Sequence, residues 1–113
     1  MTIADAPDVV VRYMRAAAEG DVATLVACFI ADAEVVDEDQ TFRGHDEIRR
    51  WRATLASKFT YTLEVVGSEA TGPNSFSVIA KLVGNFPSSP VELKFRFVLR
   101  GELIAALEIA PRA

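Results

Sequence analysis

The stretch Ala33-Glu34-Val35-Val36-Asp37-Glu38-Asp39-Gln40-Thr41-Phe42-Arg43-Gly44, running directly into His45-Asp46-Glu47-Ile48-Arg49-Arg50-Trp51, decides how this chain folds. It reads as a short strand, a turn carrying carboxylates, a second short strand, and a helix that begins just after Gly44. Side chains two apart on a strand share a face, so Asp37 falls on the face of Val35. Burying Val35 then turns Asp37 toward the interior. A carboxylate aimed at apolar surroundings is costly unless it is bonded or used.

Toward the N-terminus two helices precede this stretch. Asp5, Pro7 and Asp8 form a helix start, and Val9, Val10, Tyr13, Met14 and Ala17 recur at helical spacing as one apolar stripe. Gly20 ends that helix and Asp21 is placed to cap a second, shorter one. Val22, Leu25, Val26 and Phe29 are expected on its buried side, with its end near Ala31-Asp32. Cys28 lies in this apolar run and is expected as a small buried side chain. The third helix, over His45 to Ala56, has Asp46 and Glu47 at its positive end and Ile48, Trp51 and Leu55 as its apolar stripe. Arg49, Arg50 and Arg52 on it are expected on the solvated face. His45 is expected to meet solvent where that helix begins.

Beyond Ala56 the pattern changes to period two. Phe59, Tyr61, Leu63 and Val65 fall on one strand face, and Phe76, Val78, Ala80 and Leu82 line one face of the next strand with Ser77 and Lys81 opposite, Phe86 being a further candidate for that face. Val91, Leu93, Phe95, Phe97 and Leu99 alternate with Glu92, Lys94, Arg96 and Val98. Leu103 to Ile109 is the last strand. Thr71 to Ser75, Pro87 to Pro90 and Arg100-Gly101-Glu102 are turns by composition. Short connections between consecutive strands imply an antiparallel meander, which the helices cover on one face. The fold class is α+β.

The 113 residues are expected to form a single domain, 1–113, with 50% hydrophobic and 25% charged residues. A formal net charge of -4 argues against a nucleic-acid partner, which calls for a basic stripe. No apolar run approaches the length needed to span a bilayer, and Met1-Thr2-Ile3-Ala4-Asp5 lacks the basic start of a signal peptide. The expected compartment is the cytoplasm, with no membrane partner. One cysteine and one histidine offer neither a disulfide framework nor metal-ligand spacing, so no metal is expected. Nucleophile-elbow and phosphate-loop patterns are also missing from the sequence.

The order of elements, together with Val10-Val11-Arg12-Tyr13, Glu19-Gly20-Asp21, Leu25, Phe29, Asp32-Ala33, Val36-Asp37, Phe42-Arg43-Gly44, Ile48-Arg49-Arg50-Trp51 and Phe95-Arg96-Phe97, resembles the nuclear transport factor 2-like fold. That fold includes the SnoaL-like polyketide cyclases and ketosteroid isomerase. The resemblance covers nearly the whole chain. It implies a cone-like curved antiparallel sheet packed against three N-terminal helices, a cystatin-like roll with a pocket at one end. It fixes fold more firmly than activity, because one fold hosts many functions.

The resemblance also implies roles. Asp37 falls where ketosteroid isomerase has its general-base aspartate, and Tyr13 where it has the tyrosine of its oxyanion hole. The third member, a protonated aspartic acid, falls at about Leu93, which cannot donate a hydrogen bond. Glu92 beside it faces the other way by strand alternation. Trp51, Tyr61 and Phe95, with Leu93, are the candidate substrate-lining residues. The activity implied is proton abstraction next to the carbonyl of a hydrophobic substrate, an isomerisation or an aldol-type cyclisation, with no cofactor. Each residue also has a structural reading: Asp37 as a rim residue of the Glu38-Asp39-Gln40 turn, and the aromatic residues as core. Two other roles fit the same fold, a pocket that binds a small ligand without chemistry, and a homodimer formed through the Glu92, Lys94, Arg96 and Val98 face of the sheet.

Overall fold

The meander is built as expected and then extended by a strand pair from the opening stretch. The computed structural model describes residues 6–112. Its elements are α1 (Asp8–Glu19), α2 (Val22–Ala27), β1 (Phe29–Asp37), β2 (Gln40–Arg43), α3 (Gly44–Lys58), β3 (Tyr61–Gly72), β4 (Ser75–Gly84), β5 (Val91–Arg100) and β6 (Leu103–Pro111). They form an α+β fold: three helices on one six-stranded sheet of order β2-β1-β6-β5-β4-β3. Four of the five pairings are antiparallel, but β1 lies parallel to β6, so the sheet is mixed.

Several boundaries differ from the sequence reading. The helix start proposed at Asp5 lies outside the described residues; Pro7 occupies the cap position of α1 and makes no side-chain cap bond. The second helix stops at Ala27, not near Ala31-Asp32, and Phe29 begins β1. Helical and strand spacing both bury Phe29, which is why periodicity could not separate them. Asp21 does cap α2, accepting from the Thr24 backbone N–H at 3.1 Å and the Thr24 hydroxyl at 2.7 Å. Phe86 is not on β4, which ends at Gly84; it packs edge-on to Phe59 with ring centres 6.4 Å apart.

The register places most of the buried apolar strand residues on the helix-covered face. One row across the sheet runs Val35, Leu107, Phe97, Phe76, and the next runs Asp37, Ile109, Phe95, Val78. Tyr13, Met14, Leu25, Ile48 and Trp51 from the helices close over these rows, and all are buried. Cys28 is buried too, with its thiol 3.4 Å from the Thr24 carbonyl oxygen. No described helix is long and apolar enough to cross a membrane.

β1 and β2 meet in a two-residue hairpin in which Asp37 pairs with Gln40. Glu38 and Asp39 both take positive φ, 52° and 64°. Such a turn matches the right-handed twist of the flanking strands, but the left-handed region suits Gly and Asn better than Glu, while Asp tolerates it. Gly44, at φ 81°, then turns the chain into α3. Glu47 reaches back to accept from the Arg43 N–H at 2.8 Å. His45 is half-buried, not solvated: its Nε2 sits 2.9 Å from the Phe29 carbonyl oxygen and ties the start of α3 to the start of β1.

Candidate functional site

The last residue of β1 sets the site. Asp37 shares the inner face with Ile109 and Phe95, and its Oδ2 accepts a hydrogen bond of 3.0 Å from the Trp51 indole N–H. Asp37 closes β1 beside the Glu38-Asp39 turn, and its half-buried carboxylate is bonded to Trp51 of α3 rather than left in solvent. Burial raises its pKa above the ordinary aspartate value. The Trp51 bond pulls the other way, Glu38 adds to the rise, and Arg52 opposes it. A carboxylate of higher pKa is a stronger base once ionised.

Trp51 is held in place from two sides. Phe42 of β2 stacks on it with ring centres 5.7 Å apart and an interplanar angle of 26°. The Arg52 guanidinium carbon lies 5.1 Å from its ring centre, within cation–π range.

Arg52 contradicts the expectation of a solvated helix face: it is only 8% exposed. Its NH2 group donates to the Tyr61 hydroxyl at 2.8 Å, and that hydroxyl donates in turn to the Ala17 carbonyl oxygen on α1 at 3.0 Å. Burial works against its charge, but Tyr13, Tyr61 and Asp37 outweigh this and hold the guanidinium pKa above its ordinary value. Arg52 is the site residue that the sequence reading missed. The signal was present, because Arg52 is four residues after Ile48 and three before Leu55, on the stripe that packs inward.

Tyr13 lies at the centre of the aromatic core. Its ring meets Phe29 at 5.8 Å, Phe97 at 5.4 Å and Phe95 at 6.4 Å between centres. The side chain is fully buried, and its hydroxyl is the one buried side-chain polar atom among the described residues without a hydrogen-bond partner. Burial pushes the phenol far above its usual pKa; Arg52 opposes this, while Tyr61 and Asp37 add to it. Tyr13 is therefore neutral at any working pH and can act only as a hydrogen-bond donor or acceptor. Leaving such a hydroxyl unbonded costs about 1–3 kcal/mol.

The named residues thus form one connected interior. Asp37 bonds Trp51, Trp51 stacks under Arg52, Arg52 bonds Tyr61, and Tyr61 bonds the helix that carries Tyr13. Phe95 lies between the Asp37 row and the Tyr13 ring. Leu93 is half-buried one inner row further on, paired with Ala80 and Pro111. It supplies apolar surface and no donor. Among the described residues no group of three or more His, Cys, Asp or Glu side chains gathers as a metal site would require.

A family model for the SnoaL-like domain matches residues 10–104. The chain belongs to the SnoaL-like family. No curated protein matches the sequence. A solved structure from Sinorhizobium meliloti, provisionally named a polyketide cyclase, is 36% identical. It covers 94% of this SnoaL-like chain and 96% of its own, with a TM-score of 0.88. A Catenulispora acidiphila protein with a ketosteroid isomerase-like fold, solved with trimethylamine, is 20% identical, covers 92% and 85% of the two chains, and has a TM-score of 0.81. A further structure from Silicibacter, also provisionally a polyketide cyclase, is 18% identical over 93% and 87% with a TM-score of 0.81. At these lower identities the likeness is one of fold.

Proposed function

We propose that this SnoaL-like domain is a cofactor-independent isomerase or cyclase that removes a proton next to the carbonyl of a hydrophobic substrate. Asp37 is the base. It takes a proton from the carbon beside the carbonyl and becomes the neutral acid, while the bonding pair moves toward the carbonyl oxygen. The Tyr13 hydroxyl donates a hydrogen bond to the enolate oxygen as charge builds there. The proton then returns to another carbon of the same molecule, or the enolate carbon attacks a second carbonyl in an aldol closure. Trp51, Tyr61, Phe95 and Leu93 line the substrate.

The observation that carries this reading is the unbonded Tyr13 hydroxyl, buried in the same interior as a half-buried carboxylate of raised pKa. A titratable group perturbed by burial and by specific neighbours is a candidate functional group. The provisional cyclase name of the Sinorhizobium meliloti structure, 36% identical, supports the same chemistry. The apolar side chain at Leu93 favours a second reading, a ligand-binding domain without turnover. Exchange of the α-protons of 2-tetralone in D2O, followed by proton NMR, separates the two. Exchange that is catalysed by the wild type and lost in Asp37→Asn supports the enzyme. Exchange at the buffer rate in both overturns it.

We further propose that two copies pair through the outer sheet face. Val66, Val83 and Val98 are the exposed large hydrophobics among the described residues, and all three lie on the meander strands β3, β4 and β5. Around Val98 the outer face carries Ala106 on β6 and the Arg96–Glu108 ion pair at 3.3 Å.

A further inference from the structure

Among the described residues, Arg52 is a buried cation with no carboxylate in ion-pair contact. Four ion pairs occur among the described residues, Arg43–Glu34, Arg49–Asp46, Arg96–Glu108 and Arg112–Glu92, and every member of them has a side chain at least 40% exposed. Arg52 is the reverse case: buried, with no carboxylate of the described residues within 4.0 Å of its nitrogens. Its single side-chain hydrogen bond goes to Tyr61, a neutral hydroxyl whose own proton is committed to Ala17. Asp37 favours the guanidinium charge from beyond ion-pair distance, while its carboxylate is hydrogen-bonded to Trp51. A guanidinium carries five N–H donors in a planar fork suited to two oxygens at once. Uncompensated burial of such a charge is expensive, and it is compensated when an anion arrives. The one buried side-chain polar atom of the described residues that lacks a hydrogen-bond partner, the Tyr13 hydroxyl, belongs to the same interior.

We propose that Arg52 and Tyr13 together form an oxyanion site, and that the ligand of this interior is a flat, largely apolar molecule carrying a carboxylate or an ionised enol oxygen. The guanidinium takes the place of the acid that Leu93 cannot provide. It differs from a neutral acid in one respect: it favours an oxygen that is already charged in the bound ground state. The substrate class narrows accordingly, from any hydrophobic ketone to one that carries a carboxylate, such as a β-keto acid, whose α-proton is still present for Asp37 to remove; an ionised enol oxygen is then the product of that removal. Trp51 serves both sides of the reaction, since its face supports the guanidinium and its N–H holds the Asp37 carboxylate. This holds the Asp37 carboxylate out of ion-pair contact with Arg52, so among the described residues the guanidinium fork has no direct carboxylate partner. The inference rests on the proposal that this interior is the substrate site.

The test is equilibrium binding by calorimetry at one pH where every probe has a fixed charge. Benzoate is compared with benzamide, and 4-nitrophenolate with nitrobenzene, on the wild-type protein and on Arg52→Met, Arg52→Lys and Asp37→Asn. We expect each anion to bind at least about tenfold more tightly than its neutral partner, as a charge-assisted hydrogen bond implies. That preference should vanish in Arg52→Met, survive in part in Arg52→Lys, and grow in Asp37→Asn, which removes a like charge. Benzoate binding more tightly than 4-nitrophenolate assigns a substrate carboxylate; the opposite order assigns an enolate. Equal binding of anion and neutral probe by the wild type overturns the proposal. So does an unchanged preference in Arg52→Met, or no anion binding up to about 10 mM. If Arg52→Met does not fold, the wild-type and Arg52→Lys comparisons still decide. Because the readout is binding, its failure leaves the proton-exchange test of Asp37 intact, and a failed exchange test leaves this one intact.

Discussion

At the scale of single residues, Tyr13 gives the sharpest contrast between a structural and a functional role. A buried hydroxyl that bonds nothing destabilises the fold that holds it, so Tyr13→Phe is expected to raise the unfolding free energy by about 1 kcal/mol, read from urea unfolding. The same change should cut proton exchange about 100-fold or more, the usual loss on deleting one oxyanion donor. A residue that gains stability and loses turnover on substitution is not there for packing. Asp37 has a related signature. Its folded pKa lies above the unfolded one, so the folded state binds more protons and stability falls as pH rises from about 4 through the folded pKa. Asp37→Asn, which never ionises, is therefore expected to melt at a higher temperature than wild type at pH 7. The gain should shrink to nothing below about pH 4, where Asp37 is neutral in both states. The inward placement of Asp37 and Tyr13 was legible from residue spacing. Arg52 was not, because a charge in a run of arginines reads as solvated unless its helical phase is weighed above its polarity.

At the scale of elements, the strands of the meander could be read because period two and turn composition agree along β3 to β6. The end of α2 could not, because Phe29 is buried whichever element it belongs to. The parallel pairing of β1 with β6 was also beyond a local reading. It joins Val35 to Leu107 and Asp37 to Ile109 across most of the chain, and no local pattern encodes a long-range neighbour. That pairing seats Asp37 beside the β6–β5 inner face, so the site depends on the contact least visible in the sequence. The hairpin that ends β1 carries a testable strain. Replacing Glu38-Asp39 by Asn-Gly supplies residues at ease with positive φ, and is expected to stabilise the protein by about 1 kcal/mol in urea unfolding. A loss of stability would show that the turn is not of the type described.

At the scale of the whole molecule, the sheet presents two different faces. Its inner face carries the aromatic core and the Asp37–Trp51–Arg52–Tyr61 chain, while its outer face carries Val98 at 47% exposure among charged neighbours. The alternation of Val91 to Leu99 shows both faces in the sequence, but not what covers the outer one. A homodimer through that face is expected to sediment at twice the mass of one 12.3 kDa chain at micromolar concentration. A monomer under those conditions would contradict the pairing and leave the interior site unaffected.

The central claim is that Asp37 is a desolvated carboxylate poised as a base. Its side-chain carboxyl carbon, followed by 13C NMR across a pH titration of the folded protein, tests this most directly. We expect a midpoint clearly above the ordinary aspartate value of about 3.9, moving higher still in Trp51→Phe, which removes the hydrogen bond to the ionised form. A midpoint at or below that value, unchanged in Trp51→Phe, would contradict the account.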